Sequence, residues 1–225
     1  MKAKNFIILL SILGINQLSA CSESFDQEVF DSPEMLSTDE IVEVNSEAFV
    51  QYIDQLPLEE LSHKEIESLK FMREEEKLAR DVYLTLYEQW AILPFKNISK
   101  SEQAHMDAVL LLLNKYNLDD PADGNDIGVF ANEELHSLYD QLVEQGSTSI
   151  AEALKVGALI EEVDIIDLQR IIDHDVDNED IEFVLSNLKR ASGYHLRAFV
   201  RNLKRYSIEY VPELLDEETY NDLIK

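Results

Sequence analysis

The chain has 225 residues, with 19 Lys and Arg against 46 Asp and Glu, a formal charge of −27 and 45% hydrophobic residues. Six Gly and five Pro exclude a collagen-like repeat, and the apolar content excludes wholesale disorder. The acidity excludes a DNA or RNA binder, which needs a basic face, and a single Cys excludes a disulfide framework or a cysteine-rich metal site.

In chain order, Lys2 and Lys4 precede an apolar run from Phe6 to Gly14. That run is too short to span a bilayer and suits the core of a signal peptide. It ends in Leu18-Ser19-Ala20-Cys21, which resembles the bacterial lipobox. The resemblance implies a lipoprotein signal peptide over residues 1–20, lipidation of Cys21, and export to the cell envelope on a lipid anchor in a membrane. Ser22 is not the Asp associated with inner-membrane retention, so a Gram-negative source implies the outer membrane or surface. Residues 22–60 then hold twelve Asp or Glu and no Lys or Arg. Such a segment repels itself, so residues 21–57 are expected to form an acidic, largely extended tether. Its aromatics, including Phe49 and Tyr52, can still dock on the body.

Residues 58–225 carry helical periodicity almost throughout. Ser62-His63-Lys64-Glu65 fits a capping box and predicts a helix to about Gln89. Ser99-Lys100-Ser101-Glu102 fits a second start, with helix to about Tyr116. Asp119 to Gly128, with Pro121 and Gly124, reads as a solvated acidic connection. A shorter helix is predicted from Asn132 to near Gly146, long ones over Ser149 to about Asp173 and Asp177 to about Tyr206, and a short terminal one opening at Pro212. No alternating, strand-like run of useful length occurs. The expected fold is all-α: a four-helix bundle with an extra connecting helix and a short C-terminal helix.

The apolar seams of the four long helices carry polar residues. Glu76 interrupts the first seam, Glu102 and His105 the second, Glu161 the third, and Ser192 and His195 the fourth. Isolated buried carboxylates are costly, so groups on four seams make sense if they converge on something cationic. Glu102 and His105 lie three apart on one helix face, as do Glu161 and Asp164. Carboxylate and imidazole without thiolate suit iron or manganese, with zinc as a further candidate. The bland readings stand beside this: Glu74-Glu75-Glu76 as a solvated face, Glu102 as a cap of its own helix, and His195 as a hydrogen-bonded core residue. A symmetric site would have Glu in place of Ser192.

At these residues the sequence resembles the ferritin-like di-metal carboxylate superfamily. Glu76 with Ala79-Arg80 and Tyr83 is similar to the rubrerythrin first-helix pattern, and Glu102-Gln103-Ala104-His105 to its second-helix Glu-x-x-His. Glu161-Glu162-Val163-Asp164 resembles the third-helix Glu-x-x-Glu, while Ser192-Gly193-Tyr194-His195 keeps the fourth-helix His and lacks its Glu. More closely, Arg73 to Asp81, Ser101 to Asp107 and His195 to Phe199 resemble the bacterial and archaeal domain of unknown function 2202.

The resemblance implies a metal site of Glu76, Glu102, His105, Glu161, Asp164 and His195, holding two ions, iron first. It implies redox chemistry with O2 or peroxide, or oxidation of Fe(II), of a peroxidase- or ferroxidase-like kind. An external electron donor is then needed, since no rubredoxin-like cysteine set is present, and association as a homodimer is a further expectation. Tyr83, on the Glu76 seam, could bind a ligand by hydrogen bond or relay an electron, or simply pack. The alternatives are a non-catalytic metal-binding module and a metal-free helical scaffold on the envelope. Asp173-x-Asp175-x-Asp177 imitates an EF-hand start, but Asn178 replaces the turn glycine and Val184 the bidentate Glu.

Overall fold

Ser62 accepts a hydrogen bond from the Glu65 amide while the Glu65 carboxylate accepts one from the Ser62 amide, and this reciprocal cap starts the longest helix among the described residues. In the computed structural model, which describes residues 47–225, the helices are α1 (Glu47–Gln55), α2 (His63–Trp90), α3 (Leu93–Lys115), α4 (Glu133–Gly146), α5 (Ile150–His174), α6 (Glu179–Arg205) and α7 (Glu217–Ile224). No strand occurs among the described residues, so the fold is an all-α helical bundle. The expected leader, Cys21 and the tether as far as residue 46 lie outside the described residues.

Two hairpins make the body. Only Ala91 and Ile92 join α2 to α3, and a short turn joins α5 to α6, so each pair is antiparallel and packed along its length. The hairpins face one another through α2 with α5 and α3 with α6. The connection with α4 crosses between them, and Trp90 donates its indole N–H to the Gly146 carbonyl at 2.9 Å where α2 and α4 end together. The seams meet as expected: Leu69, Met72, Ala79 and Leu86 of α2 are buried against Val109 and Leu112 of α3, Leu154 and Leu168 of α5, and Leu188 and Leu203 of α6. Burying such side chains contributes about 1.5–3 kcal/mol each, which is what holds helices of this polarity together.

Four features differ from the sequence expectation. Within the expected tether, α1 forms and buries Phe49 and Ile53, with the rings of Phe49 and Tyr52 packed at a tilt against Phe183. The second long helix starts at Leu93 rather than at Ser99, because Ala91 breaks the chain in the left-handed region (φ 54°) and Pro94 sits in the new first turn. Ser99 then donates to the Lys96 carbonyl instead of capping. The terminal helix opens at Glu217 under an Asp216 cap rather than at Pro212. Finally, the acidic connection is docked: Asp120 receives two hydrogen bonds from Arg73, at 3.0 and 2.9 Å, and buried Lys77 reaches the Asp126 carbonyl at 2.8 Å.

Candidate metal centre

Helix α2 supplies Glu76 and Tyr83 to the middle of the bundle, α3 supplies Ser101, Glu102 and His105, α5 supplies Glu161 and Asp164, and α6 supplies Ser192 and His195. All of these are buried. Each is there for the periodic reason: it replaces an apolar residue on an inward seam. Two trios form. Glu76, Glu102 and His105 bring one donor atom each within 4.8 Å of one another, and so do Glu102, Glu161 and His195. Glu102 belongs to both, with His105 Nδ1 2.8 Å from its Oε2 and His195 Nδ1 2.8 Å from its Oε1.

The contacts are close, but they leave donors and acceptors unsatisfied. Neither Glu102 oxygen makes a hydrogen bond, nor do Glu76 Oε1, Glu161 Oε2, His105 Nε2 or His195 Nδ1. In a native core such atoms are nearly always paired. The remaining atoms are held: His105 Nδ1 donates to Glu76 Oε2 at 3.1 Å, His195 Nε2 donates to the Ser101 hydroxyl at 2.9 Å, and Tyr83 donates to Glu161 Oε1 at 2.6 Å. The two imidazoles lie face to face with centroids 5.5 Å apart.

The electrostatics follow from that geometry. Burial pushes Glu76 and Glu161 up to about 7, against the pull of the neighbouring imidazoles. Burial pushes Glu102 the same way, but His195 and His105 outweigh it and hold its carboxyl well below the ordinary range. Burial disfavours both imidazolium ions, yet the facing glutamates win, raising His195 to about 9 and His105 well above its usual value. In the absence of an ion, protons therefore neutralise the chamber. A divalent cation can replace them, because it satisfies several carboxylates at once.

Asp164 is buried beside the trios without belonging to either, and both its oxygens lack partners. Burial first, then Glu76, Glu75 and Glu161, push its carboxyl well up. Ser192 turns away and donates to the Leu188 carbonyl at 3.1 Å, so α6 brings only His195 to the chamber. One end is closed by Tyr83, Phe95 and Phe199, whose rings lie 5.3–5.9 Å apart. Phe199 fits because Gly157 faces it; a Cβ there would stand 2.5 Å from the ring.

The run Glu74-Glu75-Glu76 is not a solvated face: all three are buried. Glu74 accepts from the Ala131 and Asn132 amides at the start of α4, while Glu75 is without a donor. Glu102 sits mid-helix and caps nothing. Ser101 escaped the sequence reading; its position beside Glu102 on the inward side of α3 was the available signal. The EF-hand imitation is spent on ion pairs, Asp175 with Lys64 at 2.7 Å and with Arg170 at 2.6 Å.

Residues 65–225 match the family described as an uncharacterized protein domain, DUF2202. The uncharacterized protein MJ0754 of Methanocaldococcus jannaschii is 53% identical over 175 residues, covering 78% of this chain and 94% of its own. A crystal structure of the hypothetical protein MJ0754 superposes with a TM-score of 0.74, covering 76% of this chain and 97% of that one.

Proposed function

We propose, from the premise that the chain belongs to the DUF2202 family of uncharacterized domains, that its Glu/His chamber is a two-ion metal centre in a ferritin-like bundle. The observation that carries this reading is Glu102. It is buried, shared by both trios, 2.8 Å from an imidazole on each side, and without a hydrogen bond at either oxygen. A carboxylate between two cations accounts for all four facts.

Oxygen and imidazole donors with no thiolate favour iron, with manganese and zinc as alternatives. Glu76, Glu102, Glu161 and Asp164 together carry the charge that two divalent ions neutralise. Bound iron would supply electron exchange with O2, peroxide or incoming Fe(II), drawing on an external donor where a cycle needs one. The chain's own groups do the rest. Glu76 and His105 would hold one position and Glu161 and His195 the other, with Glu102, common to both trios, available to each. Ser101 accepts the His195 Nε2 proton, so that Nδ1 faces inward. Tyr83, Phe95 and Phe199 exclude water from one end. The resemblance of Leu18 to Cys21 to a lipobox supports a lipid anchor, which would set this chemistry at the cell envelope.

Ser192 favours one rival. With no carboxylate from α6, a single ion held without turnover, such as zinc, is the second reading. Metal analysis of the purified chain separates them. The leading reading expects two ions per chain, an iron-dependent absorbance that changes with peroxide, and loss of metal in Glu102→Ala. At most one zinc, with no iron absorbance, supports the rival. Metal content indifferent to alanine at Glu102 and His105 leaves only a helical scaffold.

A further inference from the structure

The two ends of the chamber differ. Tyr83 of α2 lies against Gly157 of α5, and further along the pair Lys64 lies against Asp175, so the helices run antiparallel from an aromatic end to a polar one. Between these ends α5 places Glu161, Asp164, Asp167 and Arg170 at steps of three, each advancing about 4.5 Å along the axis. Exposure rises along the series, from 0% at Glu161 through 1% at Asp164 to 7% at Asp167. Arg170 and Asp175 follow, partly exposed and paired at 2.6 Å.

Glu75 of α2 stands across from Asp167, a carboxylate facing a carboxylate. No N–H or hydroxyl donor reaches either oxygen of Glu75 or of Asp164, although they are only 2% and 1% exposed; Glu75 has only the Asp167 carboxylate to share a proton with. Their neighbours show what a structural acid does here: Glu74 holds the start of α4, and Glu162 holds four donors of the C-terminal segment. Glu75 and Asp164 hold no segment of backbone. Buried carboxylates without donors are costly, and the fold keeps two in line with the chamber.

We propose that Asp167, Glu75 and Asp164 form the entry path by which a divalent cation passes from the Arg170–Asp175 mouth to the Glu/His chamber. This rests on the reading of the chamber as a metal centre. A cation leaving water must exchange its hydration oxygens for others, and carboxylates one helical step apart offer them in succession. Among the described residues, only the two chamber trios bring three donors close enough to hold an ion, so Asp167 and Glu75 conduct and do not store, and Asp164 hands the ion on to the chamber beside it. Arg170, between Asp167 and Asp175, limits entry by its own charge.

The test uses the full-length chain, stripped of metal by a chelator and mixed with Co(II) in a stopped-flow spectrophotometer. Cobalt absorbance gives the loading rate, and metal analysis gives the final content. Glu75→Gln and Asp167→Asn should each load at least about tenfold more slowly to the native content, the size expected when a local field no longer concentrates the cation. Arg170→Gln should load faster. Native rates in the first two variants would overturn the path and point to entry beside His195. Reduced final content would also overturn it, by making Glu75 or Asp167 part of the cage. Circular dichroism checks folding, and the two variants nearest the surface, at Asp167 and Arg170, carry the test if Glu75→Gln does not fold. A native chain that takes up no cobalt would sink the metal centre itself, a result distinct from the others.

Discussion

Tyr83 on α2 donates a 2.6 Å hydrogen bond to Glu161 Oε1 on α5, and that bond fixes the carboxylate of one trio from across the bundle. The hydroxyl proton is thereby shared with Glu161, which makes Tyr83 a positioning residue for that carboxylate. Burial and the Glu161 charge push the phenol well above its usual range, so it stays a donor. Tyr83→Phe should destabilise the metal-free protein by about 1–3 kcal/mol by leaving Glu161 Oε1 without a partner. Bound metal should recover part of that loss, since an ion gives the carboxylate another partner. Urea denaturation with and without Co(II) checks this; an equal loss in both states counts against it.

Glu102 and Glu76 should differ as ligands because one is shared and the other is not. Glu102→Ala is expected to weaken both metal positions, whereas Glu76→Ala weakens only the one with His105. Metal content after equilibrium dialysis reads the difference directly. Loss of one ion from each variant would mean that Glu102 does not span the positions.

The seams that carry Glu76, Glu102, His105, Glu161 and His195 were legible because a polar residue on an apolar stripe is conspicuous at a period of 3.6. Their convergence follows once four such stripes share one core. What was not legible depends on three-dimensional pairing. Glu74, Glu75 and Glu76 look alike in the sequence, and only the position of α4 separates a cap from an orphan and from a candidate ligand. Ser99-x-x-Glu102 mimics a capping box in the sequence, whereas Ala91 and Pro94 set the start of α3 earlier. Docking of the Asp119 to Gly128 connection could not be seen, since its partners, Arg73, Lys77 and Asp81, are some 47 residues away.

Asp120 gives an acid-stability prediction. Burial would raise its carboxyl, but the two bonds from Arg73 and one from the Ala122 amide outweigh that and hold it below the ordinary aspartate value of about 3.9. A carboxyl depressed in the folded state contributes stability above its unfolded pKa and loses it as pH falls through the folded one. Asp120→Asn should therefore cost about 1–3 kcal/mol at pH 7, and the gap from native should narrow steadily below about pH 4. Urea midpoints across that range test it. A gap unchanged down to the lowest pH at which the fold survives would mean that the charge on Asp120 is not what anchors the connection.

Glu162 is next to Glu161 and does different work. Its Oε1 accepts from the Tyr210 hydroxyl at 2.6 Å and the Glu213 amide at 3.1 Å, and its Oε2 from the Leu214 and Leu215 amides at 2.7 and 2.8 Å. One buried carboxylate thus holds the chain between α6 and α7. The terminal helix has its own tie, from Arg197 to the Leu223 carbonyl at 2.7 Å, so losing Glu162 should free the segment without releasing α7. Glu162→Ala should speed hydrogen exchange of the Leu214 and Leu215 amides by at least about tenfold, as expected of a local opening. Metal content should stay native, because the Glu162 carboxylate is occupied by the C-terminal segment and belongs to neither trio. Glu162→Gln keeps acceptor capacity on one atom only, so exchange should fall between native and alanine. If both variants lose metal along with protection, the C-terminal segment and the chamber would have to be treated as one cooperative unit.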